Sequence, residues 1–164
     1  MEQALIQNAR AYALRHQLHL AERLGFGIHG IIFVVEHNSN IGKTAVKAHR
    51  SVEPYLRERE AYERLKDAGV SEILGFNVPQ LIHIDDELRV IEMSIVARPF
   101  VLDFAGAYLD IPPDFIEEKW AEWEAEKRDQ FEARWTEVQL VLAALEALDI
   151  HMVDVSPSNI AFLD

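Results

Sequence analysis

Residues 24–35 read LGFGIHGIIFVV, and this stretch decides the fold. Its first half is a G-x-G-x-x-G motif made by Gly25, Gly27 and Gly30, and residues 31–35 are a β-branched and aromatic run typical of a strand. In a dinucleotide-binding unit the third glycine would open a helix. Because a strand follows instead, the glycines are predicted to lie in a loop between two antiparallel strands. Backbone N–H groups there can approach phosphate oxygens without a Cβ in the way.

A second strand carries a lysine at a set interval from this loop. Residues 44–47, Thr-Ala-Val-Lys, are typical of a strand, and Lys47 follows Gly30 by seventeen residues. Side chains alternate between the two faces of a strand. Lys47 is therefore predicted to point away from the side on which Val46 and Ala48 pack.

The remaining elements follow from periodicity and turn residues. Helices are predicted over residues 2–15, 51–65 and most of the last third up to about 148, strands over 81–84, 88–96 and 160–163, and turns at 37–42 and 85–86. In the last third, apolar residues recur every three or four positions, which predicts one long helix with a single packing face. The members of that face are Ile116, Trp120, Trp123, Phe131, Trp135, Val138, Leu142 and Leu145.

Residues 151–159, HMVDVSPSN, follow this helix and precede the last predicted strand. A cluster of Asp, Ser, Pro and Asn predicts by itself only an ordinary turn. Its position downstream of the glycine loop and Lys47 favours a functional interpretation, in which Asp154 and Asn159 carry the chemistry.

The glycine loop, the lysine strand and residues 151–159 together resemble the protein-kinase-like superfamily, which includes bacterial protein and small-molecule kinases, over residues 18–164. The resemblance implies an α+β fold. An antiparallel-sheet N-lobe with one helix would occupy residues 1–98, and an incomplete, mostly helical C-lobe would occupy residues 99–164. It also implies ATP and Mg²⁺ as ligands, and phosphotransfer to a hydroxyl of a protein or small-molecule substrate.

The same resemblance assigns roles to individual residues. Gly25, Gly27 and Gly30 would cover the phosphates, Lys47 would hold the α- and β-phosphates, Asp154 would act as base, Asn159 would bind Mg²⁺, and Met93, with Glu92 and Ser94, would lie near the adenine.

Kinases pair this lysine with a glutamate on the following helix. Glu58 lies four residues before Tyr62 and seven before Leu65, on one helical stripe, and is the candidate. Glu60 and Glu63 on the same helix remain alternatives.

The family pattern is broken at three points. Met152 stands where the family has histidine, and Ser156 where serine/threonine kinases have lysine. No D-F-G follows Asn159, and along an extended strand Asp164 would lie roughly 16 Å from Asn159, too far to share a metal. The chain is therefore expected to be truncated before its main metal anchor. The alternative function is a catalytically inactive pseudokinase-type scaffold or regulatory module.

Composition excludes several classes of function and of binding partner. The chain has 164 residues, 16 basic and 28 acidic, with a net charge of −12, so nucleic acid and anionic membranes are not expected partners. It has no cysteine, no H-E-x-x-H and no G-x-S-x-G, so disulfides and common hydrolase sites are not expected. Without a signal-like or membrane-spanning stretch, the expected location is the cytoplasm. Self-association over the tryptophan-rich face is also expected.

Overall fold

The computed structural model describes residues 1–38 and 42–163, so part of the turn predicted at 37–42 and the whole of Asp164 lie outside the described residues. The helices are α1 (Glu2–Arg15), α2 (Val52–Asp67), α3 (Glu117–Phe131) and α4 (Trp135–Glu146), with a 3₁₀ turn (Glu132–Arg134) between the last two. The strands are β1 (Leu18–Phe26), β2 (Gly30–His37), β3 (Lys43–His49), β4 (Glu72–Ile73), β5 (Phe76–Asn77), β6 (Leu81–Asp85), β7 (Val90–Met93), β8 (Phe100–Val101), β9 (Tyr108–Leu109), β10 (Ile150–His151) and β11 (Ile160–Ala161). Within the described ranges, no helix is both long and apolar enough to cross a membrane.

The main sheet has five antiparallel strands in the order β1-β2-β3-β7-β6. Strands β1 and β2 form a hairpin in which Phe26 pairs with Ile31. The β-branched run after Gly30 is a strand, as predicted, but of the three glycines only Gly27 lies in the connection of the hairpin, because Gly25 belongs to β1 and Gly30 begins β2. The α+β class and the antiparallel sheet are thus confirmed.

Strand β3 divides its side chains between two cores. Val46 and Ala48 pack against α1 on one face of the sheet, whereas Ala45 faces the core that contains α2. Lys47 shares the face of Ala45, because residues two apart point the same way. The predicted orientation of Lys47, opposite to Val46 and Ala48, is confirmed.

Helix α1 covers the outer face of the sheet and supplies a buried hydroxyl to it. The Tyr12 hydroxyl donates to Glu92 Oε1 at 2.7 Å, and Thr44 Oγ1 donates to Glu92 Oε2 at 2.7 Å. His37 Nε2 also lies 3.1 Å from Glu92 Oε2. Burial, followed by the nearby Glu92 carboxylate, raises the pKa of Tyr12 far above its ordinary value. The hydroxyl therefore remains a donor to Glu92.

Helix α2 begins after Ser51 and carries Pro54 in its first turn, as predicted. Its buried stripe includes Glu58, Tyr62 and Leu65. Leu56, which the sequence placed on the packing face, is instead 47 % exposed.

The long helix predicted for the last third is two helices. The chain breaks at Glu132, whose φ is +52°, and a 3₁₀ turn joins α3 to α4. The apolar spacing continues across the break because Phe131 and Trp135 remain four residues apart and their rings stack at 6.2 Å. Ile116, the first member of the predicted face, is 68 % exposed and does not belong to the core.

Short strands bring two distant segments together. Strand β8 pairs with β11, and β9 pairs with β10, both antiparallel. Strand β8 also pairs with β5 in parallel. Residues 100–109 therefore run beside residues 150–161, at the side of the main sheet that carries Lys47.

Candidate functional site

The amine of Lys47 is buried between two carboxylates. Its Nζ lies 2.7 Å from Glu58 Oε1 and 2.9 Å from Asp103 Oδ1. Burial by itself lowers the pKa of Lys47, but the two carboxylates outweigh burial and hold the pKa above its ordinary value. Lys47 therefore carries a positive charge at neutral pH inside the protein.

Glu58 is bound by donors from three parts of the chain. Oε1 accepts from Lys47 and from His49 Nε2, each at 2.7 Å, and Oε2 accepts the backbone N–H of Phe104 at 2.8 Å. Burial raises the pKa of Glu58, but Lys47 and then His49 outweigh burial and lower it to about 2. Glu58 thus ties α2, β3 and the segment after β8 together as an ionised group.

The two alternative glutamates on α2 lie elsewhere. Glu60 pairs with Arg64 at 2.9 Å and Glu63 with Arg59 at 3.1 Å, both as i,i+4 pairs on the helix surface. Of the three candidates, Glu58 is the residue beside Lys47.

Asp103 is a site residue that sequence reasoning missed. It follows β8 and has φ of +69°, a left-handed conformation that costs energy for a residue other than glycine and is concentrated at functional positions. The order of motifs in protein kinases, which the sequence resembles, would place a D-F-G carboxylate after Asn159. The available signal was Asp103-Phe104, with Gly106 two residues later, but it lies before residues 151–159 rather than after them.

Two cavities meet at this ion pair. One, of about 170 Å³, lies beneath the glycine loop, and the other, of about 290 Å³, lies beside it. Both are lined by Ile32, Lys47 and Asp103. The shared lining makes them one cleft, in which the smaller part also contains Asp154 and the larger part is mostly apolar.

The three glycines of the loop have different steric requirements. A Cβ on Gly30 would overlap the backbone oxygen of Ala48, so β2 and β3 approach too closely there for any other residue. A Cβ on Gly25 would make only ordinary contact with Ile32, and one on Gly27 would meet nothing within 4 Å. Gly30 is therefore needed for the fold, whereas Gly27 faces open space and lines the smaller cavity.

Asp154 lies in the smaller cavity, opposite the loop. Its Oδ2 is 4.0 Å from Nε2 of His29, a loop residue, and its side chain is 61 % exposed. A Cβ on Gly106 would lie 3.1 Å from the Asp154 Cβ, so the absence of a side chain at Gly106 leaves room for Asp154. The structure thus brings the loop, Lys47, Asp103 and Asp154 to one cavity.

Asn159 is buried, and its side-chain amide makes hydrogen bonds to the backbone of Asp154 and Ser156. Nδ2 donates to the backbone oxygen of Asp154 at 2.6 Å, and Oδ1 accepts the backbone N–H of Ser156 at 2.8 Å. An amide oxygen has two lone pairs, so Oδ1 keeps one. In this arrangement Asn159 holds the backbone of the Asp154 loop.

The larger cavity is lined mainly by apolar side chains, and residues outside the regular strands form one of its edges. Ala45 and Met93 belong to the sheet, and Leu24 precedes the glycine loop. Residues 94–96, which follow β7, line the same cavity. Glu92 lies on the other face of the sheet, bonded to α1, so it is Met93 and Ser94 that lie at this cavity.

Comparison with known proteins adds no family to this description. No protein-family model matches the chain, and no curated protein matches it significantly.

Proposed function

We propose that the cleft binds ATP and that the chain transfers its terminal phosphoryl group to a hydroxyl of a protein or small-molecule acceptor. The observation that carries the proposal is the buried Lys47 ammonium, held by Glu58 and Asp103 where the cavity that contains Asp154 meets a largely apolar one. A fixed positive charge at such a junction suits a ligand with a flat apolar end and a polyphosphate end. The resemblance to protein kinases supports the same assignment.

The adenine would occupy the larger cavity, between side chains such as Ala45 and Met93. The backbone of Ile95 and Val96, which follow the sheet, would offer polar groups to its edge, since the Ser94 N–H already donates to Gln80. The phosphates would lie in the smaller cavity, where Lys47 provides charge and the open space at Gly27 allows close backbone approach.

The carboxylates of the smaller cavity also fit a magnesium ion. Mg²⁺ is usually held by one or two carboxylates together with phosphate oxygens. Asp103 would be the principal ligand, whereas Asn159 is not among the residues that line either cavity and would act only through its hold on the Asp154 loop. When bound, Mg²⁺ supplies positive charge that neutralises the phosphate oxygens.

Asp154 would orient the acceptor and take its proton. In the transfer, the acceptor oxygen forms a bond to the terminal phosphorus, the bond from that phosphorus to the bridging oxygen breaks, and ADP leaves. The exposed side chain of Asp154 can reach a hydroxyl at the mouth of the cleft. Asn159 would keep the loop in place through its bond to the Asp154 carbonyl.

A second candidate is a nucleotide-binding module without transfer activity. It is favoured by Asn159, whose amide oxygen already accepts a bond from Ser156. In this case the cleft would still bind a nucleotide, but the residues of the loop would serve only its structure.

Both candidates are tested by measuring ATP binding and γ-phosphate turnover for the native chain, Lys47→Met and Asp154→Asn. We expect ATP to raise the Tm of the native chain, more so with Mg²⁺, and Lys47→Met to abolish that rise. Asp154→Asn should retain binding and lose turnover by about 10²-fold or more. Binding without any turnover in the native chain would favour the inactive module, and no stabilisation by any nucleotide would contradict both.

A further inference from the structure

His29 lies in the connection between β1 and β2 and lines the smaller cavity of the cleft. Its side chain is 19 % exposed, and its Nε2 lies 4.0 Å from Asp154 Oδ2 on the opposite wall. This distance is too long for a hydrogen bond. Within the described part of the chain, the imidazole makes no hydrogen bond, so its polar edge is open to a ligand in the cavity.

Two backbone hydrogen bonds set the position of His29. The Gly27 N–H donates to the Gly30 oxygen at 3.0 Å, which closes the turn between the two strands. The His29 oxygen accepts the N–H of Arg50, the residue after β3, at 2.9 Å. Because the Gly27 N–H is used within the turn, it is not available to a ligand in this conformation.

The smaller cavity holds few side-chain donors. Of its described lining residues, only Lys47 and His29 carry a side-chain N–H group, and the Lys47 amine is already held by two carboxylates. Asp103 and Asp154 also line the cavity, and their carboxylates repel phosphate oxygens. Residues 151–159, which carry Asp154, include no lysine or arginine. The imidazole is therefore the side-chain donor of this cavity that no carboxylate occupies.

The two donors lie at different depths along the cleft. Lys47 lines both cavities, so it lies where they meet, whereas His29 and Asp154 line only the smaller one. A nucleotide with its base in the larger cavity would meet Lys47 with the phosphates nearest the base. Its terminal phosphate would lie farther along, beside His29.

We propose that His29 makes the cleft select a nucleoside triphosphate over a diphosphate, by donating from Nε2 to an oxygen of the terminal phosphate. This inference rests on the proposed function, because it requires the phosphates to occupy the smaller cavity. A diphosphate ends near Lys47 and gains nothing from the imidazole. The selection concerns binding, so it applies whether or not the chain transfers the phosphoryl group.

Calorimetric titration of the full chain with two nucleotides, in the presence of Mg²⁺, tests the inference. The ligands are ADP and β,γ-methylene-ATP, a triphosphate analogue that does not transfer its terminal group. We expect His29→Leu to weaken binding of the triphosphate about tenfold or more, since a hydrogen bond to a charged group is lost. Its affinity for ADP should change less than about threefold, because ADP does not reach the imidazole.

Two further variants separate the lost donor from a change in the loop. His29→Gln keeps an N–H group at about the reach of Nε2 and should restore part of the preference for the triphosphate. His19→Leu removes an exposed histidine from β1 of the same hairpin and should leave both affinities unchanged. The Tm of each variant should lie close to that of the native chain, which shows that the hairpin remains folded.

Equal losses of affinity for both nucleotides in His29→Leu, or no loss for either, would overturn the inference and leave nucleotide binding in the cleft intact. A loss in His29→Gln as large as in His29→Leu would also contradict it, because the N–H group would then not be the cause. If the native chain bound neither nucleotide, the proposed function would itself fail, and this inference with it.

Discussion

Lys47 Nζ and Asp103 Oδ1 lie 2.9 Å apart although 56 residues separate them in the chain. The contact places a carboxylate in the cleft, and under the proposed function this carboxylate would be the metal ligand beside a bound polyphosphate. Asp103 also adopts a left-handed backbone conformation, which its neighbours must hold in place.

We expect Asp103→Asn to remove the gain in ATP affinity that Mg²⁺ provides, because an amide is a much weaker magnesium ligand than a carboxylate. The matched control is Asp110→Asn, since Asp110 also has positive φ, +70°, but pairs on the surface with Arg64. ATP titrations by calorimetry with and without Mg²⁺ would compare the two variants. Equal Mg²⁺ dependence in both would show that Asp103 does not hold the metal.

Glu58→Gln should destabilise the fold by about 3 kcal/mol, because it removes the charge that compensates the buried Lys47 ammonium. Glu63→Gln on the same helix should change the free energy of unfolding by less than about 1 kcal/mol, since Glu63 forms a partly exposed pair with Arg59. Urea denaturation of both variants measures the difference. Similar losses in the two would mean that the buried network contributes little to stability.

The ionisation of Glu58 also predicts how stability depends on pH. The folded-state pKa, about 2, lies below the ordinary value of 4.5, so the unfolded chain binds more protons between these values. The stabilisation is therefore complete above about pH 4.5 and is lost as the pH falls towards 2. Urea curves at several pH values should show a shallower decline for Glu58→Gln than for the native chain, and parallel declines would contradict the depressed pKa.

The same substitution at two glycines of the motif should affect different properties, stability at Gly30 and ATP binding at Gly27. Gly30→Ala should cost about 1–3 kcal/mol of stability, because its Cβ overlaps the Ala48 carbonyl. Gly27→Ala should leave the Tm nearly unchanged, since nothing lies within 4 Å of its Cβ, but should weaken ATP binding by narrowing the smaller cavity, where the phosphates are proposed to lie. Thermal unfolding and ATP titration of both variants test this, and unaltered ATP affinity in Gly27→Ala would argue against phosphates beneath the loop.

Tyr12→Phe tests whether the two faces of the sheet are independent. It leaves the buried Glu92 without one of its donors and should cost about 1–3 kcal/mol of stability. ATP affinity should not change at a temperature where the variant is folded, because Glu92 lies on the face opposite the cleft. A parallel loss of ATP binding would reveal coupling through the sheet.

Local sequence patterns were sufficient to predict many features of this site. The β-branched run after Gly30 specified a strand, alternation along β3 specified the direction of Lys47, and helical spacing selected Glu58 over Glu60. In each case the side chain's direction follows from backbone geometry within a few residues. The helical spacing did not reveal that the long helix is interrupted. Phe131 and Trp135 are four residues apart, and this spacing fits both a continuous helix and the observed break between α3 and α4.

The sequence by itself determined the elements that carry Lys47, Glu58 and the glycine loop, because their periods and turn residues act over short distances. Only the tertiary structure decided that Asp103 completes the ion pair and that Asn159 turns inward to its own loop. Those contacts depend on β8 pairing with β11 across about 60 residues of chain. Long-range pairing of short strands leaves no periodic signal in either segment, so it becomes visible only once the chain has folded.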